Sequence, residues 1–302
     1  MVMKTLSCEN VSKSYNGHTV VSNLSFNVSG GEMFGLLGPN GAGKTTTIRM
    51  IMNIIYPDSG TISIYGEKLN ESTKEKIGYL PEERGMYKRM KVMDILVYFG
   101  MLKNMKRQEA RQEARRFLST FDMLDCEKKK IEELSKGMQQ KIQFITTILH
   151  RPDLIILDEP FAGLDPINRK LIKDTMEDLR KQGKTIIFST HQMDEVERLC
   201  DDILLIHRGE RILSGNLAEI KKNYGKSSIM VTYEGDVSFL RGFPGVVSID
   251  DYGKYAEISI DKTTSPSQIL RELVGKVEIS RFELSEPTLN KIFIDAVGGT
   301  VE

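Results

Sequence analysis

One run of eight residues constrains this chain more than any other. Gly38-Pro39-Asn40-Gly41-Ala42-Gly43-Lys44-Thr45 fits the pattern G-x-x-x-x-G-K-[ST]. Four fixed positions arise by chance in roughly one chain in a hundred at average residue usage, so the flanking sequence decides. Glu32-Met33-Phe34-Gly35-Leu36-Leu37 before it reads as a short buried strand, and Thr46 to Met52 after it carry no breaker and read as a helix. Strand, glycine-rich turn and helix is the context in which successive backbone N–H groups curl around an anion. The helix N-terminus adds a partial positive charge. The run Gly38 to Thr45, with Thr46, is therefore the predicted phosphate cradle. Lys44 would reach the β and γ phosphates, and the Thr45 hydroxyl would ligate Mg²⁺. The blander alternative is a glycine turn before a helix; the context favours a nucleoside triphosphate.

The rest of the chain narrows the class. Its 302 residues leave room for one large domain and a small one. Lysine plus arginine number 42, as do aspartate plus glutamate, so there is no basic surplus of the kind a general nucleic-acid binder shows. Cys8, Cys126 and Cys200 stand far apart and odd in number, which fits reduced thiols rather than a disulfide framework or a zinc site. The start, Met1-Val2-Met3-Lys4-Thr5, lacks the apolar core of a signal peptide. No stretch approaches the roughly 18 apolar residues of a membrane span. The expectation is a soluble chain whose membrane role, if any, comes through a partner.

Along the chain, residues 4–28 alternate in two segments broken at Tyr15-Asn16-Gly17, which predicts an antiparallel hairpin. Pro57-Asp58-Ser59-Gly60 turns into a strand from Thr61 to Tyr65, and Ile77 to Leu80 is another strand ending at Pro81. From about Val92 to His150 apolar positions recur at helical spacing with no proline, which predicts an inserted helical block. Leu154–Leu157 and Thr185–Phe188 are apolar runs of central-strand type. Between them Asp165-Pro166 opens a helix. Ile203 to His207 is a further strand, turning at Arg208-Gly209-Glu210 into Arg211-Ile212-Leu213. The character changes near Gly225. Residues 227–283 read as strand, short helix, strand, strand, helix, strand, a ferredoxin-like split βαβ order, and a last helix opens at Pro287.

Asp158-Glu159 closes the strand Leu154–Leu157, which puts two carboxylates at the sheet edge where open α/β folds bind ligands. Asp158 fits the acidic Mg²⁺ holder of a phosphate-loop protein, and Glu159 is placed to orient and deprotonate water. A solvated acidic pair at a strand end is the alternative, and the phosphate loop outweighs it. Leu134-Ser135-Lys136-Gly137-Met138-Gln139-Gln140 taken alone is an N-cap serine before a striped helix. The order of these elements, however, resembles the ATP-binding subunits of ATP-binding-cassette (ABC) transporters over about residues 4–220. That run matches the family signature L-S-G-G-Q with Lys136 and Met138 as departures, roughly twenty residues before Asp158. Ala162-Gly163-Leu164-Asp165 resembles the family D-loop, His191 its switch histidine, and Tyr15 the aromatic residue stacked on adenine.

The resemblance implies ATP and Mg²⁺ as cofactors and a site built from two subunits. Ser135 and Gly137 would meet the γ-phosphate held by a second ATPase subunit, identical or different. His191 would hold the γ-phosphate and the attacking water, and Asp165 would serve as helix cap and cross-interface contact. Glu82 stands where the family usually has a glutamine that touches the metal, and is expected to keep that metal-sensing role. Lys136 is either a solvated lysine or a charge that favours the partner's ATP. The implied fold is α/β, a P-loop NTPase of the ABC type with an antiparallel β subdomain, a helical subdomain over about 88–150, and a C-terminal α+β accessory domain over 226–302 after an ATP-binding domain over 1–222. Ile77-Gly78-Tyr79-Leu80-Pro81-Glu82-Glu83-Arg84-Gly85 and the small last domain resemble a bacterial exporter subgroup, some members of which extrude sodium or antimicrobial compounds. The implied setting is the cytoplasmic face of the membrane, beside an integral permease, with no nucleic acid. A soluble cassette ATPase of translation or DNA repair is the main rival, but neither a second cassette nor a long coiled-coil insertion is present. A regulatory module without turnover conflicts with the presence of Lys44, Asp158, Glu159 and His191.

Overall fold

A computed structural model describes residues 4–68, 70–83, 85–224, 227–261, 263–285 and 287–297. Met1 to Met3, Arg84 and Gly225 lie outside the described residues. The chain divides into two compact units, Met1–Gly215 and Asn216–Glu302.

In the first unit β1 (Lys4–Tyr15) and β2 (His18–Ser29) form an antiparallel hairpin. Asn16 and Gly17 close it with positive φ, which suits their short or absent side chains. β3 (Met33–Leu37) enters the glycine-rich loop and α1 (Lys44–Ile51) leaves it, and β4 (Ser59–Ile64) returns to pair antiparallel with β1. The short α2 (Glu71–Glu75), capped by the Asn70 side chain, precedes β5 (Ile77–Leu80). The helical block holds α3 (Val92–Leu102), α4 (Arg107–Thr120) and α5 (Lys136–Ile148). Its core is apolar and aromatic, with Phe121 and Phe144 5.9 Å apart between centroids. Then come β6 (Leu154–Asp158), α6 (Pro166–Lys181), β7 (Thr185–Thr190), α7 (Met193–Leu199), β8 (Asp202–His207) and β9 (Glu210–Asn216).

The six-stranded sheet runs β5-β6-β7-β3-β8-β9. Every residue of β3, β6 and β7 is buried, as their unbroken apolar runs require. Register then places the chemistry. β6 pairs parallel with β7 so that Asp158 faces Ser189, and β7 pairs parallel with β3 so that Thr190 faces Leu37. Three strand ends, and the loops that follow them, therefore emerge side by side at one edge.

The second unit opens with α8 (Leu217–Tyr224), a helix the sequence reading did not anticipate. It packs on the last helix, α10 (Leu289–Ala296), where the Tyr224 hydroxyl donates to Asp295. Between them lie β10 (Ser227–Glu234), β11 (Val246–Asp251), β12 (Tyr255–Ile260), α9 (Pro266–Leu273) and β13 (Glu278–Ser285). The sheet order β11-β12-β10-β13, antiparallel throughout, is that of a ferredoxin-like split βαβ. The expected first short helix is a 3₁₀ turn, Ser238–Gly242. Ile229, Val231, Ile258, Ile269 and Leu273 form its core.

Candidate functional site

Two glycines of the loop have no substitute. Gly38 has φ 151°, and a Cβ there would lie 2.2 Å from the Ile206 carbonyl oxygen. Gly43 caps α1 at φ 107°, and a Cβ there would lie 2.7 Å from the Val20 oxygen. The loop is thus threaded between β2 and β8 at backbone contact, which only residues without a Cβ allow. Lys44, 6% exposed, donates from Nζ to the carbonyls of Gly38 at 2.7 Å and Pro39 at 3.1 Å. Burial pulls its pKa down, against the upward pull of Glu159 and Asp158. A cleft of about 190 Å³ opens over the loop, lined by Asn40 to Thr46 and by Val20, Glu82 and Glu159.

The acidic side is held from β7. The Ser189 hydroxyl donates to Asp158 Oδ1 at 2.5 Å and accepts the Glu159 backbone N–H at 2.9 Å, so one side chain fixes two consecutive residues. Thr45 Oγ1 also donates to Asp158 Oδ1 at 3.3 Å. Burial pushes the Asp158 carboxyl upward, while the hydrogen bonds from Ser189 and Thr45 hold it down. Glu159 follows with φ 49°, a left-handed conformation that a side-chain-bearing residue rarely adopts and that turns the chain sharply off the strand. Its Oε1 lies 3.7 Å from Lys44 Nζ and 3.1 Å from His191 Nδ1. One carboxylate oxygen thus receives a buried ammonium and an exposed imidazole together.

The donors suit a hard divalent cation. Thr45 Oγ1 lies between Asp158 Oδ1 and Glu82 Oε2, 3.5 Å from the latter, and Asp158 Oδ2 is buried with no hydrogen-bond partner among the described residues. No group of three or more His, Cys, Asp or Glu side chains able to hold a metal occurs among the described residues. Mg²⁺ commonly takes one or two carboxylates and completes its shell with phosphate oxygens and water, and these oxygens fit that mode.

Other residues singled out from sequence lie apart from the cleft. Ser135 caps α5 by accepting the Met138 N–H at 3.3 Å, and neither it nor Gly137 lines the cleft. Gly137 instead stands near Leu164, whose Cδ2 would be 3.8 Å from a Cβ placed there. Asp165 is exposed and caps α6 through the Asn168 N–H at 2.9 Å. Tyr15 ends β1 with 44% exposure and Lys13 over its ring, and Val20 lines the cleft where Tyr15 does not. Ser189 and Val20 went unread in the sequence. Both owe their place to strand pairing across distant segments, and the one local clue to Ser189 was its position two residues before His191.

A largely parallel sheet with a phosphate loop at one end, an acidic strand end beside it and a helical insertion before that strand defines a nucleoside triphosphatase of the cassette type. The model of the ABC transporter family matches residues 21–162, and that of the C-terminal domain of DrrA1-3-like ATP-binding proteins matches residues 215–297. The chain is 43% identical to the uncharacterized ABC transporter ATP-binding protein YhaQ of Bacillus subtilis, over 98% of this chain and 100% of the relative. It is 33% identical to the linearmycin resistance ATP-binding protein LnrL of the same organism, over 98% and 99%. The solved structure of an ATP-binding subunit of an ABC transporter superposes with TM-score 0.69 at 31% identity, over 73% of this chain and 93% of that one. The chain belongs to the ATP-binding subunits of ABC transporters, ATPases that power transport, and not to the translation or DNA-repair cassettes. Among the described residues no helix is long and apolar enough to cross a membrane.

Proposed function

We propose that this chain hydrolyses ATP at a site shared by two such subunits on the cytoplasmic face of a membrane, driving outward transport through a separate permease. The convergence of Lys44 and His191 on Glu159 Oε1 beside the phosphate loop carries the reading. The loop N–H groups and Lys44 bind the β and γ phosphates. Thr45, Asp158 and Glu82 would hold Mg²⁺, which would supply charge neutralisation on those phosphates. Glu159 accepts the proton of the attacking water, and His191 steadies Glu159 and the γ-phosphate. In this reading Tyr15 stacks on adenine, while Ser135, Gly137 and Asp165 act across the interface on the partner's nucleotide. The position of Ser135 and Gly137 off the cleft supports a site completed by a second subunit. The outward direction of transport is supported by the full-length likeness to the linearmycin resistance subunit.

Glu159→Gln tests the assignment. It keeps the shape and hydrogen bonding of the residue but removes the base, so ATP binding and ATP-dependent dimerisation persist while turnover falls by about a thousandfold. Turnover within a few-fold of wild type would reject Glu159 as the base. Glu82→Ala separately tests the metal role: unchanged ATPase and transport rates rule it out.

A further inference from the structure

Glu159 and His191 stand where two segments leave the sheet, residues 160–165 after β6 and residues 191–192 after β7. Behind them a buried carboxylate, Glu195 on α7, is 6% exposed and faces two cations of α6. Arg169 Nη1 lies 3.4 Å from Glu195 Oε1, and Lys173 Nζ pairs with Glu195 Oε2. The same Arg169 Nη1 lies 3.4 Å from Oε1 of Gln192, the residue directly after His191. Its Nη2 lies 3.4 Å from the Leu164 carbonyl oxygen. One guanidinium therefore touches both segments, which a planar fork of donors can do and a single ammonium cannot. Lys173 reinforces the join: its Nζ lies 5.5 Å from the centre of the Phe161 ring, which packs edge-on against Phe188 of β7 at 5.8 Å. Glu195 holds both cations in place, since a buried carboxylate is costly to leave unpaired.

We propose that Arg169 is a positioning residue for hydrolysis, tying the loop that carries Asp165 to the segment that carries His191. The path is continuous. The Leu164 side chain approaches Gly137 of the signature helix, the Leu164 carbonyl meets Arg169, Arg169 meets Gln192, and His191 meets Glu159. A shift of Leu164 at the signature end is thereby passed to the imidazole, so that turnover depends on how that end is engaged. The proposal rests on the roles given above to Glu159 and His191.

Steady-state ATPase of the full-length chain, carried through a double-mutant cycle, tests it. Arg169→Gln lowers kcat about 10- to 100-fold with KM for ATP within about twofold, because Arg169 touches no part of the phosphate loop. Arg169→Lys keeps the charge without the fork and restores little. Adding Arg169→Gln to His191→Ala costs less than a further twofold, since the route to catalysis is already cut. A multiplicative loss in the double variant, full activity in Arg169→Lys, or a raised KM with intact kcat would overturn the proposal. If Arg169→Gln fails to fold, the cycle is run with Arg169→Lys against His191→Ala and the same readings apply. Glu159→Gln separates the two levels: normal turnover there removes the underlying site assignment, whereas loss of turnover with a multiplicative cycle removes only the role of Arg169.

Discussion

The first turns of α1 and α5 are both free of acidic residues, yet they are satisfied in different ways. α1 is preceded by Gly43, which has no side chain to cap it, and its loop is held open by backbone contacts to β2 and β8. α5 is preceded by Ser135, whose hydroxyl already takes the Met138 N–H, though at a long 3.3 Å. The first end has no side-chain cap for its leading N–H groups, which suits a helix end that binds an anion. The second is closed by its own serine and must exchange that bond for any incoming anion. In the proposed reading the two ends then act at different moments: α1 grips nucleotide within one chain, and α5 engages when another chain brings a phosphate to it.

The largest expected effect lies at α1. Lys44→Ala removes the buried ammonium over the phosphates and weakens ATP binding by about 100-fold or more, with hydrolysis lost, as read by equilibrium binding and phosphate release. Ser135→Ala is the matched change at α5. It costs about 1 kcal/mol of stability as a lost cap and slows hydrolysis by about 100-fold, but leaves nucleotide affinity of the isolated chain within about twofold. A drop in affinity as large as that of Lys44→Ala would erase the contrast.

The far end of α5 gives a pH test. His150, just past the helix, bonds the Ile77 carbonyl oxygen at 3.2 Å. Burial, aided by the Lys103 ammonium, lowers its pKa to about 4, whereas an unfolded histidine titrates near about 6.5. Unfolding therefore takes up a proton in that window, so stability is full above it and falls as pH drops toward 4. Going from pH 7 to 5 costs the wild type about 2 kcal/mol more than His150→Gln, measured by urea unfolding. The smallest effect sharpens the comparison most. Lys136→Glu places an acid in the first turn of α5 and gains about 0.3–1 kcal/mol from the helix dipole, while raising the ATP concentration needed for half-maximal hydrolysis. Stability and function then move in opposite directions at one residue.

Much of this was legible because local rules suffice for it. The glycine run, the apolar strands and the Asp165-Pro166 helix start each signal through neighbours in sequence, and the structure follows them closely. α7 was missed because Met193-Asp194-Glu195-Val196-Glu197-Arg198-Leu199 is short and charged, and it forms where Glu195 meets the cations of α6. α8 was missed because its charged sequence buries little beyond Leu217 and it packs on α10, some seventy residues away. Ser189 is the sharpest case. Nothing beside it in sequence says that it bridges Asp158 and the Glu159 backbone, because that follows from the β6–β7 register.

The anchoring of Lys44 by the Gly38 and Pro39 carbonyls has a kinetic consequence. Both carbonyls belong to the loop itself, so Lys44 is tethered to the backbone of the phosphate loop, and the part of that loop that would meet a β-phosphate would meet it in a diphosphate and a triphosphate alike. In the proposed reading, spent ADP then competes with fresh ATP for the same loop, and product inhibition of steady-state ATPase by added ADP is the measurement that checks it.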